Sequence, residues 1–336
     1  MSFPPTAEQA DIIEKKKDAE KMLIKARAGC AKTDTGVRIS KAYPKRKFKF
    51  IVFGKKNAEE FAQKLPSNAS GSTRHSFCNS FIKQRYQLDK SGFKMFKIIS
   101  KDPEYNFKNP LFTKEESFAA RENLNAMKDL VGLLKNSFIQ PTMVDVETII
   151  NHFGISFSIP MEQVCSNAID FLLTSDEDTK ELDYNDMVRL PIISGSIRAN
   201  FDEFFLDEAQ DNTPISNELL KQVLKQGCNV TAVGDDFQAI MGFTGADCDS
   251  LNNIITAIEP EIMPLTVNFR CGKNIISEAQ RFVPDIKAWD NSPDGIVLYS
   301  KTDDFMKKIS NGDCALSRFN RVIIPICFRL IREGKK

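Results

Sequence analysis

Two adjacent acids follow three bulky apolar residues in the stretch Phe204-Phe205-Leu206-Asp207-Glu208-Ala209-Gln210-Asp211. The apolar run reads as a buried strand, and an α/β sheet presents ligand groups just outside the carboxyl ends of its strands. At such a strand end Asp207 is the right residue type to hold a Mg²⁺ ion, directly or through water. Glu208 is the right type to take a proton from an attacking water. The same two acids also fit an ordinary solvated strand end, so the chemistry has to be supported by residues elsewhere.

That support begins near the amino terminus. Met22-Leu23-Ile24 reads as a short strand, followed by Ala26-Arg27-Ala28-Gly29-Cys30-Ala31-Lys32-Thr33 and then a helix through Val37, Ile39 and Ala42. Strand, small-residue loop, Lys-Thr and helix form the context of a phosphate-binding loop. Backbone N–H groups from Ala28, Gly29, Cys30 and Ala31, with the helix N-terminus at Lys32, Thr33 and Asp34, would cradle phosphates. Lys32 would reach the β and γ phosphates, and Thr33 would ligate Mg²⁺. The generic pattern asks for Gly at positions 26 and 31, and this chain has Ala at both.

The elements that must position these residues alternate strand and helix. Thr6 and Gln9 have capping-box spacing for a helix before the first strand. Phe48–Phe53 reads as a second strand, running through Gly54-Lys55-Lys56 into an amphipathic helix, Ala58–Leu65. Phe53 and Lys55 at that strand end suit a single-stranded nucleic acid, by base stacking and phosphate contact, and equally an ordinary turn. His75, one of two histidines, fits either catalysis or a structural hydrogen bond. From about Tyr86 to Lys180 helical patterns dominate, with Lys114–Leu134 and Met143–His152 the clearest. Strands resume at Phe204–Leu206, Asn229–Val233, Ile262–Val267 and Ile296–Ser300, and a basic helix, Arg321–Arg332, closes the pattern.

Composition bounds what such a fold does. The chain has 336 residues, 42% apolar and 27% charged, which suits a soluble protein with more than one core. Lys and Arg number 46 against 45 Asp and Glu, so any nucleic-acid surface must be local rather than global. The 8 cysteines include no CxxC pair, which argues against a zinc site and for reduced thiols in a cytosolic or nuclear setting. No secretion signal or membrane-spanning apolar run is present in the sequence.

Taken together, these stretches resemble the UvrD/Rep-like superfamily 1 DNA helicases, through seven motifs in the family's order. Asp207–Asp211 is similar to the family's Walker B segment, and Ala26–Thr33 to its own Walker A, which begins with Ala. Val233–Gln238 with Gly242–Ala246 resembles the motif that couples ATP to DNA. Gln9, Thr73–Phe77, Asp183–Met187 and Asn268–Arg270 match four further segments. The resemblance covers most of the chain, least in the helical stretch.

It implies an α/β P-loop NTPase with a RecA-like parallel sheet, a helical insertion and the start of a second RecA-like domain. The implied units are 1–85 and 181–262 for the first RecA-like domain, 86–180 for the insertion and 263–336 for the second. Gln9 would bond adenine and Phe269 stack on it. Lys32 and Thr33 would hold phosphates and Mg²⁺, Asp207 anchor the metal, and Glu208 activate water. Gln238 would sense the γ-phosphate, and Arg270 would bring positive charge to it. Phe53, Phe243 and His75 fall where family members meet single-stranded DNA. The implied activity is 3′→5′ translocation on single-stranded DNA with unwinding, driven by Mg-ATP.

Two departures carry consequences. Ala31 adds a methyl group where backbone approaches phosphate closely, and Met241 stands where the family places an aromatic. The family's later motifs have no counterpart before Lys336, which suggests a fragment, a split gene product or a remnant, or a partner chain carrying the missing motifs. Two rival readings therefore stand beside the helicase: an ATP-responsive single-stranded-DNA-binding module, and an inactive remnant that binds no nucleotide.

Overall fold

The computed structural model describes residues 4–89, 93–178, 180–239 and 249–334. Its centre is a six-stranded, wholly parallel sheet in the order β3-β2-β6-β7-β1-β8. These strands are β1 (Lys21–Ala26), β2 (Phe48–Val52), β3 (Ala69–Thr73), β6 (Glu203–Leu206), β7 (Asn229–Gly234) and β8 (Glu261–Leu265). Two short parallel pairs lie outside it: β4 (Gln87–Leu88) with β5 (Glu181–Leu182), and β9 (Val267–Asn268) with β10 (Lys287–Ala288). The middle strands are apolar on both faces, as a parallel sheet covered on both sides requires. Pro264 is confined to the edge strand β8, where a missing N–H costs least.

Alternation along each strand sends side chains into two cores. On one face Met22, Ile24, Phe50, Phe205 and Val233 pack with α1 (Ala7–Lys15), α2 (Lys32–Ala42) and α3 (Lys55–Ala62). Gly36 lets α2 lie close to the sheet, since a Cβ there would come within 2.9 Å of the Phe205 ring. On the other face Leu23, Ile51, Phe204, Leu206 and Ala232 pack with α4 (Arg74–Asn79), α9 (Asp186–Ile193), α10 (Pro214–Lys225) and α11 (Ser250–Ile258).

Between β4 and β5 the chain forms a helical body with its own core: α5 (Phe93–Ile99), α6 (Lys114–Ser137), α7 (Met143–Phe153) and α8 (Met161–Glu177). A buried ion network ties it to α9. Lys94 Nζ and Lys135 Nζ each lie 2.6 Å from an oxygen of Asp186, and Lys135 also pairs with Asp183. After β9 come α12 (Lys273–Ala279), α13 (Thr302–Lys308) and α14 (Asn320–Arg332), the last with no buried residue.

Several expectations hold locally. Thr6 and Gln9 form a reciprocal capping box on α1, and α2, α6, α7 and α14 fall where periodicity predicts helices. Others do not. The stretch Ile296–Ser300 is no strand. Lys273 N and Asn274 N donate to the carbonyls of Pro293 and Asp294, so the preceding backbone is spent on the start of α12, and Ile296 and Leu298 stay exposed. The expected strand Ile262–Val267 is divided between β8, which pairs with β1 from Met22↔Glu261 to Ala26↔Leu265, and β9. The edge strand β3, Ala-Ser-Gly-Ser-Thr, carries no apolar alternation and is a strand because β2 offers it a partner.

Candidate active site

The register of the sheet aligns the carboxyl ends of β1, β2, β6 and β7, because Ile24 is opposite Val233, Leu206 opposite Ala232, and Ile51 opposite Leu206. The loops that leave those ends therefore meet at one edge. The loop after β1 reaches α2 by two left-handed residues, Gly29 at φ 67° and Ala31 at φ 60°. Glycine adopts that conformation freely, whereas alanine does so at a cost of about 1 kcal/mol. Gly29 is also sterically required: a Cβ would come within 2.5 Å of Asn268 Nδ2.

Asn268 fastens the following segment to this loop. Its Nδ2 donates to Ala28 O at 2.6 Å, and its Oδ1 accepts from the N–H groups of Arg270 and Cys271 at 2.9 and 2.7 Å. Phe269 N donates to Gly29 O at 3.0 Å. Phe269 and Arg270, two of the residues singled out in the sequence, are thereby brought to the loop. The Phe269 ring leans on Trp289 at 5.7 Å, and the exposed Arg270 guanidinium makes no hydrogen bond or ion pair among the described residues.

Lys32 Nζ is ion-paired with Glu208, and Thr33 Oγ1 donates to Asp207 Oδ2 at 3.3 Å. Burial, then the neighbouring Glu208 charge, push the Asp207 carboxyl up to about 6, with Lys32 pulling the other way. Glu208 stands on left-handed backbone at φ 52°, a strained position of the kind that concentrates at functional sites. A polar chain leads on from it. Gln210 Nε2 donates to Glu208 Oε2 at 2.8 Å, Asp235 N donates to Gln210 Oε1 at 3.0 Å, and Gln238 Nε2 donates to Asp235. The sequence-predicted group Lys32, Thr33, Asp207, Glu208 and Gln238 is thus one connected set. Among the described residues no cluster of three or more His, Cys, Asp or Glu could hold a metal. The Thr33–Asp207 pair still suits Mg²⁺, which takes a few hard oxygens from protein and the rest from phosphate and water.

Three predicted nucleotide contacts are already engaged. Gln9 is buried, donating from Nε2 to Thr35 Oγ1 at 2.9 Å and accepting at Oε1 from Thr6 N at 3.1 Å. Asp34 pairs with Arg38 along α2. Cys30 N donates to Arg27 O at 3.3 Å, and burial pushes the thiol up to about 11.

Beside the carboxylates a cleft of about 860 Å³ runs between the sheet edge and α9, lined by Phe53, His75, Tyr184, Asp207 and Glu208 among others. His75 stacks on Tyr184 with ring centroids 3.9 Å apart, and burial followed by the Arg74 charge pushes its imidazole down to about 3. A histidine held neutral in this way is a stacking surface rather than a proton shuttle at neutral pH. Phe53 and Tyr184 are exposed. Ser72 Oγ, Arg74 Nε, Asn79 Oδ1 and Asp211 Oδ1 are buried in the cleft wall with no partner among the described residues. Such atoms mark a surface suited to a polar ligand. Phe243 and the Lys55 side chain lie outside the described residues. Sequence reasoning missed Arg74 and Tyr184, though both sit inside motifs it singled out.

The comparisons with known proteins agree with this geometry. The chain is 25% identical over 275 residues to a probable DNA helicase II homolog of Mycoplasma genitalium, covering 71% of this chain and 36% of that protein. It is 26% identical over 284 residues to F-box DNA helicase 1 of Gallus gallus, covering 80% and 27%. It is 25% identical over 289 residues to F-box DNA helicase protein 1 of Schizosaccharomyces pombe, covering 82% and 32%. The chain thus spans about a third of the length of the relatives it matches. The family model for the UvrD/REP helicase N-terminal domain matches residues 6–258, which hold five of the six strands of the parallel sheet, the helical body and both halves of the Lys32–Glu208 constellation. With three quarters of its length matched by that family and its strand-end loops converging on one site, the chain belongs to the UvrD/REP helicase N-terminal domain family.

Proposed function

We propose that this chain binds and hydrolyses ATP and couples hydrolysis to 3′→5′ movement on single-stranded DNA. The observation that carries the reading is the union of Lys32, Thr33, Asp207 and Glu208 at one sheet edge, continuous with an aromatic-lined cleft. Three relatives named DNA helicases support the DNA part; the polarity rests on the resemblance alone. Residues 4–85 and 181–265 form the motor's first RecA-like unit in this reading, and 86–180 its insertion.

Phosphoryl transfer to water needs alignment and charge neutralisation more than covalent chemistry. Lys32 leaves its ion pair with Glu208 for the phosphates, which frees the Glu208 carboxylate to accept a proton from water. Thr33 and Asp207 hold Mg²⁺, which when bound neutralises charge on the phosphate oxygens. Gln238 senses the γ-phosphate through its bond to Asp235, and Arg270 adds positive charge from the segment fastened to Gly29. Gln9 and Phe269 receive the adenine, with Gln9 exchanging its bond to Thr35. Phe53, the His75–Tyr184 stack and, by the resemblance, Phe243 and Lys55 hold the strand, aromatic faces accepting any base.

The test is ATP hydrolysis with and without single-stranded DNA, for the parent, Lys32→Ala and Glu208→Gln. DNA-stimulated turnover is expected in the parent and lost in both variants; turnover that persists in both defeats the assignment. A second reading, ATP-responsive DNA binding without turnover, is favoured by the Ala31 methyl group on left-handed backbone. Recovery of hydrolysis only in Ala31→Gly would establish it.

A further inference from the structure

Arg27 sits at the junction of three segments distant in sequence. Its Nε and Nη2 donate to the two carboxylate oxygens of Asp285 at 2.7 and 2.8 Å. Its Nη1 donates to Asp236 Oδ1 at 2.6 Å and to Ala26 O at 3.1 Å, and lies 3.7 Å from Asp235 Oδ1. The guanidinium also lies over the Phe237 ring at 4.9 Å. Arg27 is 8% exposed, so the fork is geometrically fixed, while its partners Asp236 and Asp285 reach solvent. A planar fork bonded at both ends transmits displacement in a way a point charge on a flexible stem does not.

Arg27 stands at the end of β1, immediately before the loop that carries Lys32. Its N–H donates to Leu265 O at 2.9 Å, which anchors it to the edge strand as well. From Asp235 the polar chain already described runs through Gln210 to Glu208 and Lys32, and branches to Gln238. Asp285, in turn, lies in the turn before β10, whose Lys287 N donates to Thr266 O at 3.0 Å. A line of hydrogen bonds and ion pairs, passing through the Asp235–Asp236 peptide link, therefore joins the segment around 285 to the carboxylate–lysine pair.

We infer that Arg27 is a positioning residue whose bidentate bond to Asp285 transmits movement of the 281–288 segment to the Asp235–Gln238 turn and, through Gln210, to Glu208. This regulatory role rests on the functional reading above, whereas the mechanical link does not. Neither Arg27 nor Asp285 touches the reacting groups. Asp285 is half exposed on its side chain, and Asp235 and Asp236 stay beside Arg27 when it is changed.

Two measurements test this on the full chain with Asp285→Asn and Arg27→Lys. In nucleotide-free protein, amide hydrogen exchange is followed in peptides covering 281–288 and 234–239. The link predicts faster exchange in both, because the N–H groups of Asp235, Phe237 and Gln238 are held on or beside Asp235. A change confined to 281–288 overturns it. In ATP hydrolysis, Asp285→Asn is expected to keep KM and unstimulated turnover within about twofold, while stimulation by oligothymidine falls about fivefold or more. Unaltered stimulation overturns the regulatory role. A parent that hydrolyses no ATP defeats the functional reading and with it that role, while the exchange experiment still decides the link.

Discussion

Ala31 and His75 are held in states that cost free energy, and both costs are measurable. The left-handed backbone at Ala31 should make Ala31→Gly more stable by about 0.5–1 kcal/mol in urea unfolding, the steric gain exceeding the added entropy of the unfolded chain. A loss of stability would mean that the methyl group packs usefully in the loop. For His75 the sign follows from a folded value near 3 against an ordinary 6.5. The folded state favours the neutral ring, so its contribution is fully present above the unfolded value and is lost as pH falls below 6.5 towards 3. Between about pH 7.5 and 5.5 this group should remove about 1 kcal/mol of stability, and His75→Phe should flatten that slope by the same amount. Equal slopes in parent and variant would show that the imidazole stays accessible to protons.

At the scale of elements, the helical body is joined to α9 through charge rather than apolar contact alone. Lys135 is buried against Asp183, Asp186 and the Ser175 hydroxyl, and burial itself holds the Asp186 carboxyl above its usual range despite both lysines. Replacing Lys135 with Met leaves these carboxylates short of a partner in a dry site, at an expected cost of about 3–5 kcal/mol. The exposed pair Lys97–Glu181 at 2.8 Å is the control, and Lys97→Met should leave the unfolding midpoint close to the parent's. Thermal unfolding of the two variants separates a structural joint from a surface pair. Periodicity made α6 and α7 legible, since their apolar faces repeat at helical spacing. The network was not legible, because Asp183 and Asp186 carry no local sign that two lysines 92 and 48 residues away in sequence will cover them.

For the molecule as a whole, a formal net charge of +1 means that the proposed attraction to DNA has to come from local groups. Among the described residues lining the cleft, Arg74 is the one permanent cation, its guanidinium bonded to Asn212 Oδ1 at 3.1 Å with Nε unpartnered. If Arg74 meets a phosphate, Arg74→Met should lower the slope of log affinity against log salt by about 0.7, the value for one phosphate on a single strand. Fluorescence anisotropy of a labelled oligothymidine over a salt series gives that slope. An unchanged slope with weaker binding would assign Arg74 to support of the cleft wall instead.

Local spacing determined which residue types stand where the strands end. The apolar run before Asp207, the small-residue loop before Lys32 and the order of the motifs all lie within short windows, where backbone period and side-chain type express themselves directly. The Thr6–Gln9 capping box is of the same kind. The tertiary structure decided which neighbours those residues have. It turned polar Ala69–Thr73 into an edge strand, set β8 beside β1, engaged Gln9 with Thr35, and closed Arg27 onto Asp285 across 258 residues of sequence. Those outcomes depend on strand order and on the ends at which loops emerge. No short window encodes them, because hydrogen-bond partners and burial are supplied by segments that meet only when the sheet forms.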